Sequence, residues 1–363
     1  MYVKMFGERK REVNMKIVII AHSAVHPRQQ LFFSAIARLG HDVLVLGPRR
    51  WNNLTLRDDS FSKDGSNAHS YRQLGVACNN AGSLHNFQLI GISEEIEKFN
   101  PDIVYCQQEW WSAQAWDTFC IAKKIGCKFA LFCWENIVEK DSDKDKMLSW
   151  PKISKVLCDS DLIICGNNEA RDIISPFNFK NIVLPQVGID ESIFKPPENL
   201  GEFEFKNRKT ELLYVGRNVP EKGVYVLKEV ANKLAMKLTI VSDAEYFQLP
   251  DIYRDAKIFV SIPFTTPVWK EQSCGYTNLE AMACGVPVIS SKCGAIPEYL
   301  KDSAMLIDEG SVSQLVEYIS DFKGNDKVCI QIAKFGRDFI LKNYTNTVIA
   351  KKLMEVFNEI HWG

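Results

Sequence analysis

The chain has 363 residues, 46% hydrophobic and 25% charged, a composition that excludes a disordered polymer and favours two domains of ordinary size over one. Its 44 basic and 45 acidic residues leave a formal net charge of −1, too little positive charge for wholesale binding to nucleic acid. The 11 cysteines form no C-x-x-C pair, which argues against a zinc site or a disulfide framework and for free thiols in a reducing cytosol.

The first 14 residues are charged, lack the apolar stretch of a secretory signal, and read as a tail outside the fold. No apolar run approaches the ~20 residues that a transmembrane helix needs. Lys16–Ala21 is a short apolar run of the kind found in buried parallel strands. A helical period follows over Gln29–Leu39, and Asp42–Leu46 reads as the next strand. Further strands are expected at Ile103–Tyr105, Lys128–Phe132, Leu162–Cys165 and Ile182–Leu184, with a helix over Ser112–Ile125. Such alternation implies a doubly wound, Rossmann-like α/β domain over residues 15–195.

Residues 196–209 are polar, begin with two prolines and read as a linker. The pattern then restarts with a strand at Glu211–Val215, a helix at Gly223–Leu234, and strands at Lys237–Val241 and Lys257–Ser261. A helix over Thr277–Cys284 is closed by Gly285 and Pro287, and a strand is expected at Val286–Ser290. From Ser311 to Ile360 the sequence reads as helical throughout. A second α/β domain is therefore expected over 210–342, with a last helix, 343–363, packing back on the first domain. Ligands usually sit in the cleft between two such halves.

Two strings in the second half carry chemistry. YVGRNVPEKG sets Gly216, Arg217 and Lys222 at the mouth of a helix, beyond a strand end that faces the crevice. Two cations and a helix N-terminus can hold a diphosphate there. In KEQSCGYTNLEAMACGVPVIS, Gly275 lets backbone approach a ligand, and the N–H groups of Tyr276 and Thr277 can face an anion. Glu280 lies one turn further on, where a carboxylate can accept two hydrogen bonds from a sugar's hydroxyl pair.

These strings together resemble family 4 of the glycosyltransferases, which are retaining enzymes of the GT-B fold, with two Rossmann-like domains facing across a cleft. GHDVLVLGP, PQVGIDESIFKP and GAIPEYL extend the resemblance from Met15 over nearly the whole chain. The resemblance implies that Arg217 and Lys222 bind the diphosphate of a nucleotide-sugar donor, with Gly216 and Gly275 close to it. It implies that Glu280 binds the ribose, that a first glutamate touches the donor sugar, and that the leaving diphosphate is stabilised without a metal or other cofactor.

The chain departs from the family pattern in two places. The family leaves seven residues between its two glutamates, which here puts Gln272 opposite Glu280, whereas Glu271 leaves eight. Either a bulge returns Glu271 to the pocket or Gln272 takes its place. After Lys237–Val241 one βα unit is missing, and with it part of the expected base pocket.

The first half is expected to carry the acceptor side. His22, His26 and Arg28 lie in its opening loop, Glu109 follows a strand end beside Trp110 and Trp111, and Trp134, Glu135 and Asn136 end another strand. Aromatic faces pack on sugar rings while polar groups fix orientation. Asn167 and Asn168 read as helix caps. The expected reaction is transfer of a hexosyl group to a saccharide or lipid-linked acceptor in glycan synthesis, in the cytoplasm. Arg49, Arg50 and Arg57 around Trp51 could touch the inner face of a membrane. The alternatives are another GT-B reaction, such as epimerisation or phosphorolysis, or a degenerate nucleotide-sugar-binding protein.

Overall fold

The structure, a computed structural model, describes residues 14–61, 70–198 and 200–362, so only Asn14 of the expected tail falls within it. The first sheet contains β1 (Lys16–Ile20), β2 (Asp42–Pro48), β3 (Asp59–Phe61), β4 (Tyr71–Val76), β5 (Ile103–Cys106), β6 (Lys128–Cys133), β7 (Leu162–Cys165) and β8 (Asn181–Val183). Their order is β8-β7-β6-β5-β1-β2-β4-β3, all parallel except the edge strand β3. β1 lies between β2 and β5, and four of its five residues are buried, as its unbroken KIVII run requires. Helices α1 (Pro27–Arg38), α2 (Ala113–Ile125) and α3 (Asn168–Ile174) follow the ends of β1, β5 and β7. α1 starts on Pro27, and α2 on Ser112, whose hydroxyl accepts the Ala115 N–H.

The second sheet is wholly parallel: β9 (Thr210–Val215), β10 (Leu238–Val241), β11 (Ala256–Ser261), β12 (Val288–Ser291) and β13 (Met305–Ile307), in the order β10-β9-β11-β12-β13. It carries helices α4 (Val224–Lys233), α5 (Leu249–Arg254), α6 (Tyr276–Ala283), α7 (Ile296–Leu300), α8 (Val312–Phe322) and α9 (Asp326–Asn343), and the chain ends in α10 (Asn346–Trp362). Only a 3-10 turn and the short α5 join β10 to β11, and β10 is left as the sheet's edge. One packed core runs through the first sheet and across the seam to Leu279, Met282 and Tyr299, while a second lies beneath α4 and α8.

Three local expectations shift. Val286 closes α6 by donating to Ala281 O, so the following strand starts at Val288. The C-terminal helical stretch breaks into α8, α9 and α10. Within the expected linker, Glu202–Lys206 is helical, and buried Arg208 donates to Ala256 O and Gly285 O at 2.8 and 3.1 Å, pinning that segment to the second sheet. The last helix, α10, packs on α1 and sets Phe357 edge-on to Tyr105 of β5, 5.3 Å between ring centres.

Candidate active site

Gly216 and Arg217 directly follow the C-terminal end of β9. The Arg217 side chain is exposed and makes no ion pair to the described residues, while its backbone oxygen accepts the Tyr214 hydroxyl at 2.7 Å. Lys222, in the turn before α4, donates to Glu271 Oε2 at 2.7 Å and lies 4.4 Å from the centre of the Trp269 ring. Glu271 is fixed through its backbone, whose oxygen takes the Ala295 N–H at 2.9 Å. Gly294 is required beside it, because a Cβ there would come within 2.1 Å of that oxygen and its φ is +53°. Ser273 Oγ donates to Glu271 Oε1 and accepts the Gly275 N–H at 3.2 Å, so the loop folds on itself before α6. Gly275 gives α6 no side-chain cap, which leaves its first N–H groups, those of Tyr276 and Thr277, without a capping oxygen. The inserted residue is absorbed so that Glu271 turns to Lys222 and Gln272 lines the cleft cavity.

Glu280 differs from the expectation of a ligand-facing carboxylate. It has no exposed surface: Arg28 of the first domain pairs with Oε1, and buried Tyr253 of α5 donates to Oε2 at 2.9 Å. Burial opposes the Arg28 charge, but the Glu280 carboxylate outweighs it and holds the guanidinium above its ordinary pKa. The guanidinium also stacks 4.0 Å from the Tyr276 ring centre. Tyr253 reaches Glu280 from α5, the short helix of the β10–β11 connection.

A cavity of about 380 Å³ separates the two faces, and its lining includes His22, His26, Arg28, Glu109, Trp134 and Gln272. Glu109 accepts the N–H groups of Trp134 and Glu135 at 2.8 and 3.3 Å. Burial nevertheless pushes its carboxyl up to about 8; the Trp134 N–H works the other way, and the Glu135 charge adds to the rise. Burial lowers His22 to about 4, against the Gln108 oxygen 3.0 Å away. His26 is lowered by burial and by Arg28. Trp134 stands edge-on to Phe132, over Gly166, where any Cβ would strike its ring.

Several groups in the cleft were not singled out from sequence. Gln29, Gln107, Gln108 and Gln186 join the lining. Of the two tryptophans expected beside Glu109, Trp111 lines the cavity while stacked on His85, and Trp110 is core, 1% exposed. Adjacent glutamines at a strand end, Gln107-Gln108, were the available signal. Asn167 caps α3 as expected, its Oδ1 accepting the Ala170 N–H, but its Nδ2 also reaches across the cleft to Gln272 O at 3.0 Å. Asn168 bonds Glu298 of α7, Lys270 pairs with Glu169, and Asn136 donates to Glu271 O. The two domains are therefore held face to face.

Comparison with known proteins bears on this arrangement. Residues 205–324 match the family described as glycosyl transferases group 1. A protein of Acidianus filamentous virus 1, assigned by name as a glycosyltransferase, is 26% identical over 235 residues, 54% of this chain and 72% of that one. Among solved structures, the fold matches sucrose-phosphate synthase of Thermosynechococcus elongatus, with a TM-score of 0.71 and 15% identity over 96% of this chain and 99% of the other. It also matches Anabaena HepE in complex with UDP, with a TM-score of 0.67 and 12% identity over 95% and 100% of the two chains. HepE is also known in complex with UDP-glucose. At these identities the solved structures speak for the fold. Residues 205–324 thus match a group 1 glycosyltransferase domain, and the chain as a whole shares the two-domain GT-B architecture.

Proposed function

We propose that this glycosyltransferase takes a sugar from a nucleoside diphosphate and joins it to an acceptor hydroxyl with retention of the anomeric configuration. The observation that carries this reading is the opposition of two unlike faces across one cavity. Gln272 and Tyr276, at the uncapped start of α6, line the C-terminal side, with Lys222 held just outside it by Glu271 beside Gln272, and aromatic and amide side chains line the other. In the transfer, the bond from the anomeric carbon to the diphosphate breaks and a bond to the acceptor oxygen forms on the same face. The acceptor's proton passes to a leaving phosphate oxygen. Charge gathers on the diphosphate in the transition state, where Arg217, Lys222 and the helix N-terminus stabilise it without a metal. Glu271 holds Lys222 ready. The UDP and UDP-glucose found in HepE support a donor of that class.

Glu280, with Arg28 and Tyr253 on its two oxygens, ties the donor-side domain to the first domain beside this site. The reaction belongs to glycan or glycolipid synthesis in the cytoplasm, with the Arg49–Arg57 loop available to a membrane surface; no helix among the described residues is long and apolar enough to cross one. The test is nucleotide release from a panel of nucleotide sugars, with product linkage read by NMR. Release that depends on acceptor and yields a retained anomer supports transfer. Isomerised donor without acceptor points to an epimerase, and an inverted product overturns retention.

A further inference from the structure

We infer that the cleft cavity is built to read an uncharged saccharide acceptor, through glutamine side chains over aromatic rings, and to disfavour phosphorylated or carboxylated ones. This rests on the transfer reading above and names its acceptor class.

Five glutamines line the cavity: Gln29, Gln107, Gln108, Gln186 and Gln272. Gln107, Gln108 and Gln186 are only 8%, 3% and 3% exposed. The amide nitrogens of Gln107 and Gln108, and the amide oxygens of Gln29 and Gln186, are buried without a protein partner. Leaving such groups unpaired is costly, so the geometry calls for a ligand or water that satisfies donors and acceptors together. A sugar hydroxyl does both, and a carboxamide offers both in one planar group. Trp111 and Trp134 add ring surface, and the Trp111 N–H is another buried donor without a partner.

The charges point the same way. Arg28, the cavity's guanidinium, is already paired with Glu280. Burial lowers His22 to about 4, His26 is lowered in the same direction by burial and by Arg28, and Glu109 keeps its proton well above the ordinary carboxylate range. An anion on the glutamine side, away from the start of α6, would lose its hydration without gaining an unpaired side-chain cation. A neutral sugar meets no such cost.

The test titrates the full chain with methyl α-glucopyranoside and methyl α-mannopyranoside, and with glucuronic acid, glucose 6-phosphate and farnesyl phosphate, by ligand-observed NMR. At least one neutral glycoside is expected to bind about tenfold or more tightly than every anion. Gln108→Ala and Gln272→Ala are each expected to weaken that binding several-fold while melting like the wild type. Gln272 sits at the half-buried rim, which keeps the test open if Gln108→Ala fails to fold. Equal or tighter binding of an anion overturns the inference, as does no binding of any neutral glycoside, or unchanged affinity in the folded variants. Preferred transfer to a phosphorylated acceptor would overturn it and leave the transfer reading standing. Neutral glycoside binding with no nucleotide release from any donor would do the reverse.

Discussion

The C-terminal face of the cleft is held largely by backbone, and the N-terminal face largely by side chains. On the first, Glu271 is anchored through its own carbonyl to the Ala295 N–H beside Gly294, Gly275 opens α6, and Lys222 precedes α4 in a tight turn. On the second, His22, Gln107, Gln108, Glu109 and Trp134 follow the ends of β1, β5 and β6, Gln186 lies beyond β8 and Gln29 sits on α1, and their roles depend on what they are buried against. The first face presents charge. The second presents mostly neutral groups, because burial lowers His22 and raises Glu109. A transfer site has use for both: fixed charge where the leaving group departs, and uncharged polarity where hydroxyls are to be distinguished.

The contrast is broken most directly by removing the charged side. With Arg217→Ala and Lys222→Ala combined, kcat/KM is expected to fall on the order of 10³-fold, about 4 kcal/mol of transition-state stabilisation. Steady-state nucleotide release measures it. A loss of less than about tenfold, ~1.4 kcal/mol, would mean that the leaving diphosphate is stabilised elsewhere and that the two faces do not divide the labour in this way.

Arg28 sharpens the comparison, since it joins the two faces. Its removal leaves the Glu280 carboxylate buried, with Tyr253 as its remaining donor. Arg28→Ala is expected to cost about 3 kcal/mol in urea unfolding, at the lower end for an orphaned buried charge because that hydroxyl remains. Replacing both partners by leucine is expected to cost less than Arg28→Ala alone. A single-variant loss below about 1 kcal/mol would place the pair with exposed ion pairs and deny it a role in holding the domains together.

The same contrast explains what the sequence disclosed. Parallel strands were legible because a buried strand needs an unbroken apolar run, as in KIVII and LIIC. The charged face was legible because glycine, lysine and helix-start residues act through backbone geometry that is local in sequence. The fate of Glu280 was not, since Arg28 lies 252 residues away and Tyr253 reaches it through a shortened connection. Nor was the choice between Glu271 and Gln272, which depends on how a loop with one extra residue packs on Gly294. The glutamines were hidden for a related reason: an amide carries no charge or periodicity to mark it, and becomes informative once burial removes its partners.

Glu109 tests whether the N-terminal face is in fact uncharged at neutral pH. In the unfolded chain its carboxyl loses its proton near 4.5, whereas in the fold burial holds it to about 8. Between those values the folded chain binds more protons than the unfolded one, so this group's contribution to stability falls as pH rises, and stays level above about 8. Glu109→Gln removes the titration. Histidine contributions are common to both chains and cancel in the difference; His22, lowered to about 4, acts in the opposite direction below its ordinary 6.5. From pH 6.5 to 8 the variant is therefore expected to gain roughly 2 kcal/mol on the wild type, with no further gain above, as read from urea unfolding at a series of pH values. A difference that stays flat across this window would show Glu109 already ionised at neutral pH. The cavity would then hold a fixed negative charge, and the N-terminal face would exclude anions by repulsion rather than by leaving them without a partner.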